Sequence, residues 1–307
     1  MVDLKIKLPQ DFFNEEVRDG YTVSSEMKQV WAVLLDLLHE FMRVCDKHKI
    51  CWYADAGTIL GAVRHHGMVP WDDDIDVMMM RGEYNKLCAI AKEEFKSPYF
   101  FQTEYTDKGS LRGHAQLRNE MTTGILEAER DLGCPWNQGI FLDIFPIDTL
   151  PVDDEERFAF TESLQQLKGM AYSLYWNVER FSFKRQHISI ISIKSFVKSF
   201  LSHFVTKYNY RTYYVEYEKE ASKYNGTNSP FIAKLSLLPF KSRRLWRREW
   251  LNERVFLPFE NMEIAVPGGY KELLKHFYGD WEKYVIGTST HGGVFFDVDK
   301  PYTEYLK

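Results

Sequence analysis

The sequence predicts an α+β fold: a mixed β-sheet core flanked by helices in the first half, then a largely helical C-terminal part. Residues 25–48 place apolar side chains at helical spacing. Short apolar runs separated by glycine and proline turns follow as far as about residue 150. After Pro151, acidic residues open a long, mainly helical pattern. We therefore divide the chain into residues 1–150 and 151–307, two parts that could pack as one unit.

The composition excludes several classes of protein. Of the 307 residues, 45% are hydrophobic and 27% are charged, which is typical of a soluble globular chain rather than a disordered or multi-span membrane protein. The net charge of -5 gives no global attraction to nucleic acid, so we expect no nucleic-acid partner. The N-terminus lacks the apolar run of a secretory signal, and the four cysteines form no C-x-x-C pair. These features predict a cytoplasmic protein with reduced thiols.

The elements follow from these patterns in chain order. The long helix at 25–48 is expected to be capped by Ser24 or Ser25. The remaining predictions are strands at 51–54, 74–80, 98–103, 113–119, 139–145 and 254–266, and helices at 57–65, 83–95, in most of 153–224, and at 269–278.

The densest chemical signal is the run PWDDDIDV at residues 70–77, with four carboxylates in five positions. Alternation along a strand puts Asp74 and Asp76 on one face, while Ile75 and Val77 point into the core. Two carboxylates on one face repel unless a cation or protons lie between them. A hard cation such as Mg²⁺ (or Mn²⁺) suits these ligands and binds phosphate oxygens as well. The pair is therefore expected to hold a nucleotide diphosphate through a metal.

Two other interpretations of this run remain open. Acidic clusters are often solvated turns without a ligand. A calcium loop would use Asp72, Asp74, Asp76 and Glu83, but Val77 occupies the position where such a loop needs glycine.

A glycine turn precedes the acidic run and favours the metal site. Gly57 and Thr58 lie between a predicted strand and helix, and a helix N-terminus of this kind binds phosphate. We expect this turn and the acidic pair on adjacent strands at one edge of the sheet. Arg64 is either a phosphate ligand or a surface charge. His65 either transfers protons or hydrogen-bonds the loop, and its pairing with His66 argues against zinc.

Residues 57–77, GTILGAVRHHGMVPWDDDIDV, resemble the signature of the LicD family, which includes bacterial phosphocholine transferases and is related to fukutin-related protein. Residues 139–148, GIFLDIFPID, are similar to the same family. The resemblance implies a nucleotidyltransferase-like fold, in which a glycine turn grips phosphates, a D-x-D strand binds metal and a neighbouring strand adds a third carboxylate. Asp143 fits that third position, although it could instead be a strand-end residue facing solvent.

The remaining candidates surround these motifs. Gln116 and Arg118 share one polar face of a predicted strand that could contact the nucleotide. Asp148 is a weaker carboxylate candidate and is expected in a turn. Trp71, Asp72, His65 and His291 are candidate substrate contacts.

Basic residues concentrate in the second half. Residues 184–211 contain six Lys or Arg and no acid. They form either a core helix with a solvated face or an interfacial helix on anionic lipid. A second basic patch comprises Lys241, Arg243, Arg244, Arg247 and Arg248. Docking to a membrane surface at the inner face is therefore a hypothesis.

The resemblance implies transfer of phosphocholine, or a similar phospho-alcohol, from CDP-choline or another CDP-linked alcohol. The acceptor would be a sugar hydroxyl on a cell-surface glycan, such as lipopolysaccharide or teichoic acid, or on its lipid-linked precursor. Asp74, Asp76 and Asp143 would hold the metal, Asp143 would accept the hydroxyl proton, and residues 151–307 would bind the acceptor. Two alternatives stay open: transfer of NMP from an NTP to a small molecule, and a non-catalytic nucleotide-binding module.

Overall fold

The computed structural model describes residues 1–179, 209–238, 245–287 and 292–306, together with residue 197. The α-helices of this part are α1 (Ser25–His48), α2 (Ala56–Arg64), α3 (Arg81–Glu94), α4 (Asp154–Leu174), α5 (Tyr210–Ala221) and α6 (Tyr270–Tyr278). Its strands are β1 (Glu16–Arg18), β2 (Tyr21–Val23), β3 (Tyr53–Ala54), β4 (Asp76–Met80), β5 (Tyr99–Gln102), β6 (Ala115–Asn119), β7 (Thr123–Leu126), β8 (Ile140–Thr149), β9 (Phe231–Ala233), β10 (Trp246–Arg247), β11 (Arg254–Phe259), β12 (Met262–Pro267) and β13 (Val294–Asp297).

A mixed sheet of seven strands forms the centre of the molecule. Five strands lie in the order β10-β9-β8-β4-β3, and β6 also pairs with β8 and carries β5 on its other side. The pairing of β4 with β8 is parallel, and the other pairings are antiparallel. The predicted α+β architecture with a mixed sheet is confirmed. The predicted neighbourhood of glycine turn and acidic strand is confirmed too, because β3 and β4 pair directly.

Helix α1 packs its apolar residues into the main core beside this sheet. Ser24 caps it by accepting a hydrogen bond from the Met27 amide at 3.2 Å, which settles the choice between the two serines. Trp31 is fully buried on this helix, and its indole nitrogen donates to the Asp72 carbonyl at 2.9 Å. This hydrogen bond attaches the acidic segment to the core helix α1.

A second apolar cluster lies between α4 and α5 and is rich in tyrosine. The described residues after position 150 contain three α-helices and five strands, so a largely helical second half is not confirmed. Strands β9 and β10 from that half join the central sheet. The division at residue 150 stays a prediction.

Two details differ from the expectations. The predicted strand at 254–266 is a hairpin, β11 and β12, with Glu260 at a φ of 54° in its turn. The prediction that Asp148 lies in a turn is wrong, because β8 continues to Thr149. A single-strand pattern cannot reveal a tight turn when the residues around it are themselves apolar.

The predicted basic segment 184–211 lies outside the described residues, apart from residues 197 and 209–211, and so do Lys241, Arg243 and Arg244. Of the second basic patch, Arg248 is engaged in the fold, because its Nη2 donates to Thr149 Oγ1 at 2.7 Å. In the part of the chain that the structure describes, no helix has both the length and the apolar character needed to cross a membrane.

A buried ion pair joins α3 to the end of β8. Arg81 donates from Nε and Nη2 to the two carboxylate oxygens of Asp148 at 2.8 and 2.6 Å, and Asn225 donates to Asp148 Oδ1 at 2.7 Å. Arg81 is 7% exposed and Asp148 is not exposed at all. Such a two-pronged pair fixes the geometry as well as the charge.

We expect Asp148→Asn to lower the free energy of unfolding by about 3–5 kcal/mol, because it leaves the Arg81 guanidinium buried without its counter-charge. Lys86→Met is the control, since Lys86 forms an ion pair on the same helix but is well exposed. It should change the free energy by less than about 1 kcal/mol. Urea unfolding measures both, and equal losses would contradict this account.

Candidate active site

The parallel pairing of β4 with β8 sets Asp76 directly opposite Asp143. The Asp143 amide donates to the Ile75 carbonyl at 3.1 Å, which extends the pairing back towards Asp74. On its other side Asp143 faces Gln116 of β6. Regular strand structure begins at Asp76, so Asp74 lies just before β4 rather than on it. The three predicted carboxylates nevertheless border one cavity.

Two cavities meet at this point. The turn cavity, of about 380 Å³, is lined by Ala56, Gly57, Leu60, Arg64, Val69, Trp71, Asp72, Asp74, Asp76, Tyr278, Asp280, Trp281, Lys283, Val285 and Gly287. The strand cavity, of about 430 Å³, is lined by Ala56, Asp74, Asp76, Arg112, His114, Gln116, Leu126, Phe141, Asp143, Phe145, Lys234, Leu237, Phe277 and Tyr278. The two cavities share Ala56, Asp74, Asp76 and Tyr278, so the acidic pair faces both.

Burial and neighbouring carboxylates raise the pKa of two aspartates at this junction. Burial, together with the charges of Asp74 and Asp143, raises the pKa of Asp76 well above its usual value. Burial and the charges of Asp74 and Asp73 do the same to the pKa of Asp72. The protein alone therefore does not balance the negative charge gathered here, and a bound cation would be favoured.

Asp143 is held by a relay of buried side chains. Gln116 Nε2 donates to Asp143 Oδ1 at 2.6 Å, and Arg118 Nη2 donates to Gln116 Oε1 at 2.5 Å. Arg118 also donates to Gln102 Oε1 at 2.7 Å and to the Gly139 carbonyl at 2.6 Å. Burial lowers the pKa of Arg118 to about 9, so it remains charged at neutral pH. Arg118 lies behind Gln116, outside the lining of both cavities.

His114 adds a second contact to the same carboxylate oxygen. Its Nε2 lies 3.2 Å from Asp143 Oδ1, and its ring packs against Phe145 with centroids 4.5 Å apart. Burial lowers the pKa of His114, and its Nε2 is the ring nitrogen that faces Asp143. Burial acts to raise the pKa of Asp143, but His114 and the hydrogen bond from Gln116 outweigh it, and the pKa is lowered.

A buried cation faces the carboxylates from the second half of the chain. Lys234 follows β9 and pairs with Asp55, the residue that precedes α2. Asp55 is fully buried and Lys234 is 4% exposed. The ammonium also lies 4.5 Å from the centroid of the Phe145 ring and borders the strand cavity. Neither residue was predicted: Asp55 adjoins the glycine turn, but no local pattern distinguishes Lys234.

The glycine turn braces the acidic segment. A Cβ atom on Gly57 would lie 2.6 Å from Asp72 Oδ2, so glycine allows that carboxylate to pack against the turn. Thr58 Oγ1 accepts a hydrogen bond from the Asp76 amide at 2.9 Å. Gly57 lines the turn cavity, whereas the buried Thr58 does not. The turn thus holds both ends of the acidic run.

The other predicted residues separate into two groups. Arg64, Trp71 and Asp72 border the turn cavity. The Nε and Nη2 groups of Arg64 are buried without a hydrogen-bond partner among the described residues, while its Nη1 donates to the Trp281 carbonyl at 3.3 Å. His65 borders neither cavity, because its Nδ1 lies 2.6 Å from Asp19 Oδ2.

His291 lies outside the described residues, so its predicted contact with substrate stays a prediction.

The donor set fits a hard divalent cation, because Asp74, Asp76 and Asp143 offer carboxylate oxygens only. A second set overlaps it. Asp72, Asp73 and Asp74 each place a carboxylate oxygen within 4.8 Å of the other two. Among the described residues, this is the group of potential metal ligands whose oxygens lie that close together. Asp74 belongs to both sets.

We expect Thr58→Val to lower the free energy of unfolding by about 1–3 kcal/mol, because it removes the acceptor for the partly buried Asp76 amide while keeping the side-chain shape. Thr58→Ser retains the hydroxyl and should lose less. Thermal or urea unfolding compares the two variants. A valine variant as stable as the serine variant would show that this hydrogen bond does not support the acidic strand.

Comparisons with known proteins find relatives of the part of the chain that carries the acidic residues. Residues 49–146 match the family model described as LicD/FKTN/FKRP, nucleotidyltransferase domain. The chain is 25% identical over 260 residues to the lipopolysaccharide cholinephosphotransferase LicD of Haemophilus influenzae, covering 84% of this chain and 91% of that protein. It is also 36% identical over 135 residues to an uncharacterized protein of Rickettsia prowazekii, covering 44% and 45% of the two chains. The resemblance to the LicD family that residues 57–77 show is thereby confirmed, since the matched residues 49–146 include them.

Proposed function

We propose that this chain is a LicD-like phosphotransferase. It would move phosphocholine, or a similar phospho-alcohol, from a CDP-linked donor to a sugar hydroxyl of lipopolysaccharide, a related cell-surface glycan or its lipid-linked precursor. The similarity to a lipopolysaccharide cholinephosphotransferase over most of both chains supports the reaction class. The observation that carries the proposal is the wall shared by two cavities, where Asp74 and Asp76 face both of them. This layout suits one cavity for the donor and one for the acceptor.

Asp74, Asp76 and Asp143 would hold Mg²⁺ or Mn²⁺. When bound, the ion would neutralise the diphosphate and stabilise the departing CMP. Their carboxylate oxygens are ligands that such ions prefer, and the raised pKa of Asp76 indicates negative charge that the protein leaves uncompensated. The nucleotidyltransferase-like fold is part of this proposal.

Basic side chains approach the junction from both cavities. Arg64 borders the turn cavity with two buried N–H groups available for phosphate oxygens. Lys234 and Arg112 border the strand cavity. Charges fixed before the substrate arrives stabilise negative charge that develops in the reaction without costly rearrangement. These residues would orient the transferred phosphoryl group between donor and acceptor.

Asp143 is the proposed proton acceptor. Gln116 and His114 both contact its Oδ1, so Oδ2 is the oxygen left to take the acceptor's proton. The sugar oxygen would then bond to the phosphorus of the phosphocholine group while the bond from that phosphorus to the CMP oxygen breaks, an in-line displacement. The proton ends on Asp143 and the negative charge on CMP. The acceptor would enter through the strand cavity, with residues 151–307 supplying much of its groove.

Localisation follows from the same proposal. The reaction would take place in the cytoplasm. We further propose that the basic segment 184–211 docks to the inner face of the membrane. Flotation with vesicles containing anionic lipid tests that docking, and no binding would overturn it.

The decisive experiment measures CMP release from CDP-choline with and without Mg²⁺. We expect Asp76→Asn to lower turnover by at least about a hundredfold, because several kcal/mol of charge stabilisation depend on the metal. Asp73→Asn is the comparison variant, since Asp73 belongs to the second carboxylate set but borders neither cavity. It should retain turnover within a few-fold. Circular dichroism checks that both variants remain folded.

Three results would contradict parts of the proposal. Full turnover by a folded Asp76→Asn variant would reject the metal assignment. Loss in Asp73→Asn instead would favour the close group of Asp72, Asp73 and Asp74 as ligands. Incubation with CTP followed by mass analysis tests NMP transfer, and a cytidylylated product would replace the proposed reaction.

A further inference from the structure

The turn cavity presents two different kinds of binding group. Arg64 offers two buried N–H groups without partners among the described residues. Trp71, Tyr278 and Trp281 add three aromatic rings to the same lining. A guanidinium binds phosphate oxygens, whereas aromatic faces attract cations. One small cavity is therefore equipped for an anion and for a bulky cation at the same time.

The charges of the lining support this division. Four carboxylates and two basic groups border the cavity. Asp280 and Lys283 are both exposed, so water weakens the influence of each charge. Asp72 is less exposed and follows Trp71 directly. Two carboxylate residues therefore adjoin the rings along the chain, since Asp280 directly precedes Trp281.

Trp71 is held in place before any ligand binds. Its ring meets Tyr21 edge-on at 5.9 Å between centroids and His65 edge-on at 6.3 Å. An aromatic ring fixed by such contacts loses little conformational entropy on binding. The volume of about 380 Å³ lies within the range of small-molecule pockets.

We infer that the turn cavity binds the phosphocholine end of the donor as a zwitterion, with Arg64 on the phosphate and the rings of Trp71, Tyr278 and Trp281, beside Asp72 and Asp280, around the trimethylammonium group. The inference rests on the proposed function and specifies the transferred alcohol. A quaternary ammonium has no N–H to donate, so aromatic faces rather than hydrogen bonds recognise it. The choice of choline over a primary amine then comes from the rings.

The test uses calorimetry on the full chain with Mg²⁺ and compares phosphocholine with 3,3-dimethylbutyl phosphate. The second ligand has the same shape but a neutral carbon in place of the charged nitrogen. We expect phosphocholine to bind at least about tenfold more tightly. Equal affinities would overturn the inference. This comparison needs only the unmodified protein, so it does not depend on whether a variant folds.

Variants then identify the rings. Trp281→Leu should remove most of the preference for phosphocholine, and Trp281→Phe should keep much of it. Phe158→Leu is the control, since Phe158 is 68% exposed on α4 and borders neither cavity. CMP affinity should be the same in all of them. A parallel loss of CMP affinity in Trp281→Leu would assign the rings to the cytosine base and overturn the inference.

Turnover measured alongside binding separates the two proposals. If CMP is released from CDP-choline but the affinity for phosphocholine does not depend on the aromatic rings, the transferase proposal stands and the zwitterion site is rejected. Ring-dependent phosphocholine binding without CMP release from any CDP-linked donor would do the reverse.

Discussion

The parallel register between β4 and β8 is the constraint on which the site depends. It sets the Asp76 and Asp143 backbones side by side, with Asp74 close behind, and so gathers like charges in a half-buried place. That arrangement is unfavourable for folding alone, because burial and repulsion both disfavour the ionised carboxylates. The neighbouring residues are arranged to support these strands and to hold their side chains in position.

Support for the acidic residues comes from four distant parts of the chain. Thr58 holds the amide of Asp76, and Trp31 holds the carbonyl of Asp72 from the core helix. Arg118 acts through Gln116 on Asp143. Lys234 brings a cation from beyond residue 230 and is itself neutralised by Asp55 in the first half. The contacts of Thr58 and Trp31 fix the backbone of the acidic run, and the contact of Gln116 fixes the Asp143 carboxylate.

Much of the local structure could be predicted from the sequence, because it depends on local patterns. Apolar spacing and Ser24 determine α1, and strand alternation explains why Ile75 and Val77 are fully buried while Asp76 is only partly buried. The family resemblance implies Asp143 on a neighbouring strand, and the register sets it opposite Asp76. Features of this kind can be predicted because they depend only on residues that are close in sequence or on a motif.

What the sequence could not reveal depends on distant pairing. Lys234 has no distinguishing neighbours, and its position follows from β9 joining the far end of β8. Arg118 shares the predicted polar face with Gln116, yet tertiary packing encloses it completely. Leu150 and Pro151 predict a turn at Asp148, but the residue lies in β8, where its carboxylate pairs with the distant Arg81. The spacing of residues in the sequence does not show which distant charged side chain will pack against a given carboxylate.

The shared wall between the two cavities has a consequence for inhibitors. A ligand in the turn cavity and another in the strand cavity would each lie beside Asp74 and Asp76. A single compound that spans the wall would deliver its second half at an effective concentration set by its linker, not by its concentration in solution. Two weak fragments, one from each cavity, could therefore be joined into a tight binder, provided that the linker passes the carboxylates without adding negative charge.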